Sequence, residues 1–541
     1  MHPSPQPARS PRRTAIRVVI AMACAAGLWG LLHELTPPPA TGFGAAAMLP
    51  ALVAVAIAIA THRVIIALAV GVVVGAIIAA GSNPLNTFEI LYARTVGPAA
   101  TDKDNLLVVG FALALVAMVR VMTTTRALHR LMHPFTRLAR SRRGAKAAAA
   151  GMGTAIFFDD YANALVVGAA ARPLTDAHKV SREKLAWLVD ATSAPIAGLV
   201  VVSTWIAYEI KLIEQSGVTT DGFDMLVTSL PYRFYCIFTI AFVWMMVLAG
   251  RDFGPMLKAE RRAFHEGRPA PGPASAKAHA AEPTPRETAW SGWLALAAIG
   301  AVIAGGLASA LGVFDDALLL LFLSSLVSLA IAIGGAAFGR LLDTRALLIE
   351  LRNAAWQILP LLLILILAFS LRNTAKTLEL EPWVVGLTHD LPIGLLPALS
   401  FLVASGIAFA TGTSWGTMGI LIPIALPLAA RLTEGQPDAA LILLLTAASI
   451  LDGAIFGDHC SLISDTTLMS SAACECPVVD HFRTQLPYTL PPMAAATLPG
   501  YLLLGLAPEV PWFAAFGLGL VLCAGVIVVL GKRPDAPLPV R

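Results

Sequence analysis

The sequence predicts an all-α polytopic membrane protein, with about twelve transmembrane helices and two re-entrant hairpins arranged as an inverted repeat. Three observations predict it. The 541 residues are 57% hydrophobic and only 13% charged, with a mean hydropathy of +0.74; soluble domains of this size need several times more charged surface. Apolar runs at 16–35, 106–122, 293–311, 317–337, 359–371 with its flanks and 511–530 approach or exceed the ~20 residues that cross a bilayer. Finally, the basic residues gather in a few loops, which fixes the orientation of the spans.

Arg9, Arg12, Arg13 and Arg17 precede the first span, so the N-terminus is expected in the cytoplasm. Residues 1–17 are basic and Pro-rich. The apolar run after them is too long for a signal h-region and lacks a small-x-small cleavage site, so it reads as a first helix that stays. Further basic segments lie at 126–146, 172–184, 251–288 and 340–352, and Lys532 and Arg533 follow the last span. The predicted spans fall near 16–35, 45–62, 64–81, 105–124, 184–208, 231–250, 290–312, 317–338, 352–371, 438–460, 489–508 and 512–531, with both termini inside. The outer loops 209–230 and 372–392 are acidic and poor in basic residues.

Residues 147–171 are apolar and Gly-rich, between two basic loops. One crossing would put a strongly basic loop outside, and two need about 40 residues. A re-entrant hairpin from the cytoplasm satisfies both constraints, and such backbone is tolerated only where it is sheltered by protein or lines a cavity. A second hairpin is expected at 393–430, broken at Thr411-Gly412-Thr413-Ser414. The Ala/Pro-rich, charged segment 251–289 reads as a flexible cytoplasmic linker. It separates a first repeat (45–250) from a second (290–508). Residues 1–44 and 509–541 supply peripheral helices and tails. Each repeat has five crossings by this count; five is odd, so the second copy starts on the opposite face and its hairpin enters from outside.

The repeat is faint in residue identity. Residues 156–163, Ile-Phe-Phe-Asp-Asp-Tyr-Ala-Asn, align with 410–417, Ala-Thr-Gly-Thr-Ser-Trp-Gly-Thr. A polar break follows each hairpin, at 190–195 and at 452–467, with Asp190 and Asp452 in matching places.

Carboxylates at membrane depth mark pathways by default. The candidates are Asp159, Asp160, Asp190, Asp452, Asp458 and Asp465, surrounded by Asn163, Thr192, Ser193, Thr411, Thr413, Ser414, Ser461, Ser464, Thr466 and Thr467, with His459 beside them. Such an oxygen-rich set suits a hard monovalent cation, helped by carbonyls freed where helices unwind. The same carboxylates suit protons, because desolvation and neighbouring carboxylates bring acid groups toward working pH. A Na+ site is placed among Asp160, Asp190 and Asp465, with mutual exclusion of Na+ and H+ as the basis for exchange. Plainer roles stand beside these: Asp190 as a helix cap, Asp458 and Asp465 as solvated loop residues, and His459 as a relay, a structural or a solvated histidine. Asp176 and Glu183 sit among basic residues and read as surface pairs. Cys474-Glu-Cys476 with Asp480 and His481 has no standard zinc spacing, and no cofactor is expected.

These motifs resemble the NhaC-type Na+/H+ antiporter family of the ion transporter superfamily. The resemblance rests on Phe157-Phe158-Asp159-Asp160-Tyr161-Ala162-Asn163, Arg172-Pro173-Leu174-Thr175-Asp176, Ser181-Arg182-Glu183-Lys184-Leu185-Ala186, Asp190-Ala191-Thr192-Ser193-Ala194-Pro195, Gly412-Thr413-Ser414-Trp415-Gly416-Thr417 and the run from Gly457-Asp458-His459-Cys460 to Thr467. Leu462 replaces the proline usual in the last motif. The resemblance implies secondary active exchange of Na+ for H+ in a bacterial cytoplasmic (inner) membrane, by a homodimer as in the wider superfamily. Similar proteins include malate/lactate-type exchangers, so an ion-coupled carrier of small organic acids or a related metabolite is the alternative. An enzyme is not expected: no G-x-S-x-G or H-E-x-x-H constellation is present.

Overall fold

The computed structural model describes residues 43–81, 83–101, 103–270, 289–311, 313, 316–380 and 392–536. The predicted first span (16–35) and linker residues 271–288 lie outside them. Among the described residues the chain is helical, with one isolated β-bridge between Asp252 and Lys532. Ten helices among the described residues are long and apolar enough to cross a membrane, Ile393–Thr411 and Ser414–Leu432 of the expected second hairpin included. A bent pair, Gly222–Tyr232 with Phe234–Ala249 at 45°, makes an eleventh. Large apolar side chains such as Leu296, Leu323, Val327, Val521 and Val528 are exposed along these helices, a surface that suits acyl chains and not water. The chain is a multi-pass membrane protein.

The first half contains α1 (Leu49–Thr61), α2 (Val64–Ala79) and α3 (Lys103–Thr124). Next come α4 (Arg142–Ala155) and α5 (Asp160–Ala177), the two legs of the expected first hairpin. The predicted span 184–208 is broken into α6 (Arg182–Ala191) and α7 (Ile206–Ser216), and α8 (Phe234–Ala249) follows. The second half contains α10 (Ala289–Ala310), α11 (Ala317–Phe338) and α12 (Thr344–Thr377). The legs α13 (Leu396–Thr411) and α14 (Ser414–Leu432) lead to α15 (Ala439–His459), α16 (Asp465–Ala473), α17 (Val478–Ala495) and α18 (Trp512–Leu530). Between the halves, α9 (Gly254–Glu266) is a packed helix within the segment expected as a flexible linker.

The two hairpin tips share one local solution. Asp159 caps α5 at φ −156°, ψ 123° and accepts from the Ala162 N–H; Thr413 caps α14 at φ −148°, ψ 123° and accepts from the Gly416 N–H. Both are extended N-caps with the side-chain oxygen on the third N–H, at the positions that the sequence alignment of 156–163 with 410–417 pairs. Gly412, at φ 71°, ends α13 in the left-handed region, and a Cβ there would lie 2.7 Å from the Ile463 carbonyl oxygen. Glycine is required on both counts.

Small residues bring each tip against a break. Gly453 and Gly457 let α15 lie directly on the backbone of Phe401 and Ser405, so α13 and α15 run parallel and the tip at 412–413 meets the chain at 460–464. Gly153 seats against Thr192 in the same way, joining the first tip to the break after α6. From these junctions α5 runs along α16, with Gly168 on Ala473, and α7 runs along α14, where the Tyr208 hydroxyl donates to the Trp415 carbonyl at 2.8 Å. Two expectations are corrected here. The second break lies at 460–464 and not from 452 onward, because Asp452 sits inside the continuous helix α15. The residue matching Asp190, which is next to last in α6, is therefore Asp458, next to last in α15.

A buried charge network fastens the base of the first hairpin. Glu260 on α9 accepts from the N–H and hydroxyl of Ser181, from Arg142 at 2.9 Å and from Lys146 at 3.3 Å. Lys184 pairs with Asp252 at 2.8 Å and lies over the Trp187 and Tyr488 rings. Burial pushes the Glu260 carboxyl up, but Lys146, Arg142 and Lys184, with the Ser181 N–H, hold it below its ordinary value. With the folded pKa below the unfolded one, this stabilisation is complete above the unfolded value, 4.5, and is lost as pH falls through the folded value. Glu260→Ala leaves Lys146 and Arg142 without their buried partner and should cost about 3–5 kcal/mol. A lowered melting temperature in detergent at pH 7, with the deficit shrinking in acid, is the expected outcome; an unchanged melting temperature contradicts it.

Candidate functional site

The tips and breaks converge on a cavity of about 450 Å³. Asp159 and Asp160 at the start of α5, Tyr161, Thr204, Trp415 and Asp465 line one part of it, and Arg120 and Gln357 the other. Asp159 and Asp160 are 3% and 2% exposed, whereas Asp465 is open to the cavity. The Tyr161 hydroxyl reaches Asp465 Oδ2 at 3.5 Å. Arg120 is matched by Glu350 at 2.9 Å and also donates to Gln357 Oε1. A second cavity of about 470 Å³, lined by His62, Arg63, Thr411 and Gly412, shares Ile364, Thr413 and Asp465 with the first. Thr413 and Asp465 therefore stand in the wall between two cavities.

A deeper cluster lies behind this wall. Asp190 Oδ2 accepts from Gln485 Nε2 at 2.8 Å and from the Thr467 hydroxyl at 3.2 Å, with His481 Nε2 at 3.7 Å. Gln485 also donates to the His459 carbonyl. His459 Nδ1 is 2.7 Å from the Tyr235 hydroxyl, and the Ser414 hydroxyl donates to Asp458 Oδ2 at 3.2 Å. At the first tip, Asn163 Nδ2 points at three carbonyl oxygens, of Gly153 (2.6 Å), Ile156 (2.9 Å) and Thr192 (2.8 Å). An amide has two hydrogens, so one oxygen is always short of a donor.

Several oxygens at the tips and breaks have no protein donor within hydrogen-bond distance, while the Thr204 hydroxyl and the Trp205 indole N–H nearby are likewise unpartnered. Asp160 Oδ1, Asn163 Oδ1, Asp190 Oδ1 and Asp458 Oδ1 are buried with no hydrogen-bond partner, and so is His459 Nε2. Leaving an acceptor so costs on the order of 1–3 kcal/mol, more for a charged group. A proton or a cation removes that cost; an anion adds to it.

Other expected ligands are spent on the backbone. Thr192 and Ser193 donate to the Leu188 and Asp190 carbonyls, Thr411 to Ile407, and Ser461 to Phe409. Ser464 caps α16 and shares its hydroxyl with Thr466. Thr413 caps α14. Asp452 stands apart, holding Arg233 Nε at 2.8 Å, the Tyr235 N–H at 2.6 Å and the Tyr501 hydroxyl at 2.7 Å. It is the counterion of a fully buried arginine that also faces Glu209 at 3.6 Å, a structural role in place of the expected ion contact. Asp160, Asp190 and Asp465 do not meet at one point. Among the described residues no group of three or more His, Cys, Asp or Glu is placed to hold a metal ion, so any cation here relies on hydroxyl, amide and carbonyl oxygens as well.

Gln485 and Tyr235 are not among the residues the sequence singles out, and His481 stands there only beside Cys474 and Cys476. Gln485 and His481 had a signal: with Tyr488 they recur at helical spacing in α17 and share its buried face. Tyr235 had none.

The sequence profile of the Na+/H+ antiporter family matches residues 196–506. An uncharacterized protein of Haemophilus influenzae is 30% identical over 521 residues, covering 90% of this chain and 95% of its own. The malate-2H(+)/Na(+)-lactate antiporter of Bacillus subtilis is 36% identical over 92 residues, 17% of this chain and 18% of that one. An uncharacterized Na(+)/H(+) antiporter of Haemophilus influenzae is 34% identical over 139 residues, 25% of this chain and 27% of its own. Among solved structures, the MtrF efflux pump of Neisseria gonorrhoeae superimposes with a TM-score of 0.53 at 14% identity, over 91% of this chain and 94% of its own. The YdaH transporter of Alcanivorax borkumensis gives 0.50 at 14%, over 83% of this chain and 99% of that one. These two likenesses speak for the fold.

The unpaired oxygens generate a contrast between carboxylates. Asp160→Asn and Asp190→Asn should insert, fold and lose ion exchange, since each removes a charge that no buried cation balances. Asp452→Ala should instead lower the melting temperature, by about 3–5 kcal/mol of stability, because Arg233 loses its partner. Wild-type exchange in both Asn variants, or an undiminished melting temperature for Asp452→Ala, contradicts the assignment.

Proposed function

We propose that this chain, which belongs to the Na+/H+ antiporter family, exchanges Na+ for H+ across the bacterial cytoplasmic membrane, with both termini cytoplasmic. One observation supports the reading above others: buried carboxyl and amide oxygens at two helix breaks lack donors. Oxygen donors of this kind suit Na+, and a carboxylate that holds Na+ cannot also hold a proton. Exchange then follows from exclusion. A proton arriving at Asp160, Asp190 or Asp458 discharges Na+ there, and Na+ arriving from the other side displaces the proton.

The hairpins supply the two directions. The first, α4–α5, is read as re-entrant from the cytoplasm, in line with the basic residues of 126–146 and 172–184. The second, α13–α14, enters from outside. Thr413 and Asp465, between the two cavities, are the barrier that opens alternately. The N-termini of α5 and α14 bring fixed partial positive charge to the tips, which Asp159 takes up at the first tip and the Thr413 hydroxyl at the second.

Exchange of small organic acids is the second reading. It draws on the match to the malate-2H(+)/Na(+)-lactate antiporter and on Arg120 in the cavity wall. The Arg120 charge is already matched by Glu350, so the cavity has a carboxylate excess, and Na+/H+ exchange is preferred.

Proteoliposomes with a pH-sensitive dye and an imposed pH gradient test the reading. Addition of Na+ alone should collapse the gradient, K+ should do so far less, and malate or lactate should be unnecessary. A gradient that Na+ leaves intact until malate or lactate is added points to the organic-acid exchanger.

A further inference from the structure

The cavity beside Asp160 is larger than an ion needs. Six first-shell waters at about 30 Å³ each occupy roughly 180 Å³, against about 450 Å³ here. That is the range of small-molecule sites. Its lining is also unusual for a water-filled vestibule, since it combines three carboxylates, Asp159, Asp160 and Asp465, with two aromatic side chains, Tyr161 and Trp415. The one lining arginine, Arg120, has its charge matched by Glu350. Asp160, a lining residue, is 2% exposed, and its buried Oδ1 has no protein hydrogen-bond partner.

We propose that this cavity is a binding site for a small organic ammonium ion, taken up beside the transported Na+. A protonated amine supplies what the lining lacks: a positive charge for the acidic wall and a cation for the aromatic rings. Its short alkyl body lies against Leu165, Ile358 and Met469. A carboxylate of similar size would meet Asp159 and Asp160 and would have to draw Arg120 away from Glu350. The assignment rests on reading Asp159 and Asp160 as the cation-facing end of the pathway, but not on Na+ being the ion exchanged.

Three isosteres decide it on the purified, full-length protein, by thermal unfolding in detergent at matched ionic strength without any gradient. n-Butylammonium should raise the melting temperature by at least about 2 °C at saturation, and butyrate and n-butanol should not. Leu165→Trp, which fills the cavity from α5, should abolish the shift; Met469→Trp does the same from α16 if the first variant fails to fold. A shift with butyrate in place of butylammonium assigns the cavity to acids and overturns the proposal. No shift with any of the three leaves a water-filled vestibule, and also overturns it. An undiminished butylammonium shift in the filled variants places the amine elsewhere and overturns the site. Loss of the Na+/H+ reading shows up separately, as absent Na+-driven exchange with the butylammonium shift intact.

Discussion

One amide nitrogen holds the first break together. Asn163 Nδ2 gathers the carbonyls of Gly153, Ile156 and Thr192, that is, the end of α4, the turn after it and the chain beyond α6. Without that contact three backbone acceptors would be bare inside a membrane protein, where each costs several kcal/mol. The constraint governs the rest of the architecture. Breaks are allowed only where other parts of the chain shelter them, so Gly453 and Gly457 bring helices into backbone contact, Gly153 admits the Thr192 side chain, and Asp159 and Thr413 cap the returning legs. Some of the polar atoms that remain without a protein partner, Asp160 Oδ1, Asn163 Oδ1, Asp190 Oδ1 and Asp458 Oδ1, lie at these tips and breaks.

From that region a hydrogen-bonded chain leads through the protein. Asp190 is tied to Gln485, Gln485 to the His459 carbonyl, His459 to the Tyr235 hydroxyl, and the Tyr235 N–H to Asp452 with its buried Arg233. Asp452 is the fixed end, with every contact satisfied by arginine, tyrosine and backbone. Asp190 is the open end, with one oxygen free. The two aspartates differ in this way: both oxygens of Asp452 are held by donors, whereas Asp190 has donors on Oδ2 alone.

Much of this was legible in the sequence, for physical reasons. Apolar length gives the spans: the helices that are long and apolar enough to cross a membrane fall where the apolar runs of the sequence place them. The alignment of 156–163 with 410–417 located both caps, because an extended polar N-cap followed by a helix leaves a local pattern. Depth along a helix left no such pattern. Asp452 and Asp458 both follow apolar residues and precede glycine or histidine, and only the packing of Gly453 and Gly457 on α13 shows that the helix continues past Asp452 to His459. Arg233 looked like the edge of a span, yet it is fully buried between Glu209 and Asp452. Long-range partners of this kind depend on tertiary placement, which residue spacing does not encode. The linker was misjudged for a related reason: its Ala/Pro-rich charge pattern is real, but Glu260 within it finds a buried partner set on α4 and beside α6.

The central claim is that Na+ and H+ compete for the carboxylates at the breaks. Equilibrium binding of radioactive Na+ to purified protein, measured across pH with no gradient present, tests it most directly. If one proton excludes one Na+, the apparent dissociation constant rises about tenfold for each unit that pH falls below the titration of the site, with no change in the number of ions bound at saturation. A Na+ affinity that is the same at every pH at which the protein stays folded contradicts the account.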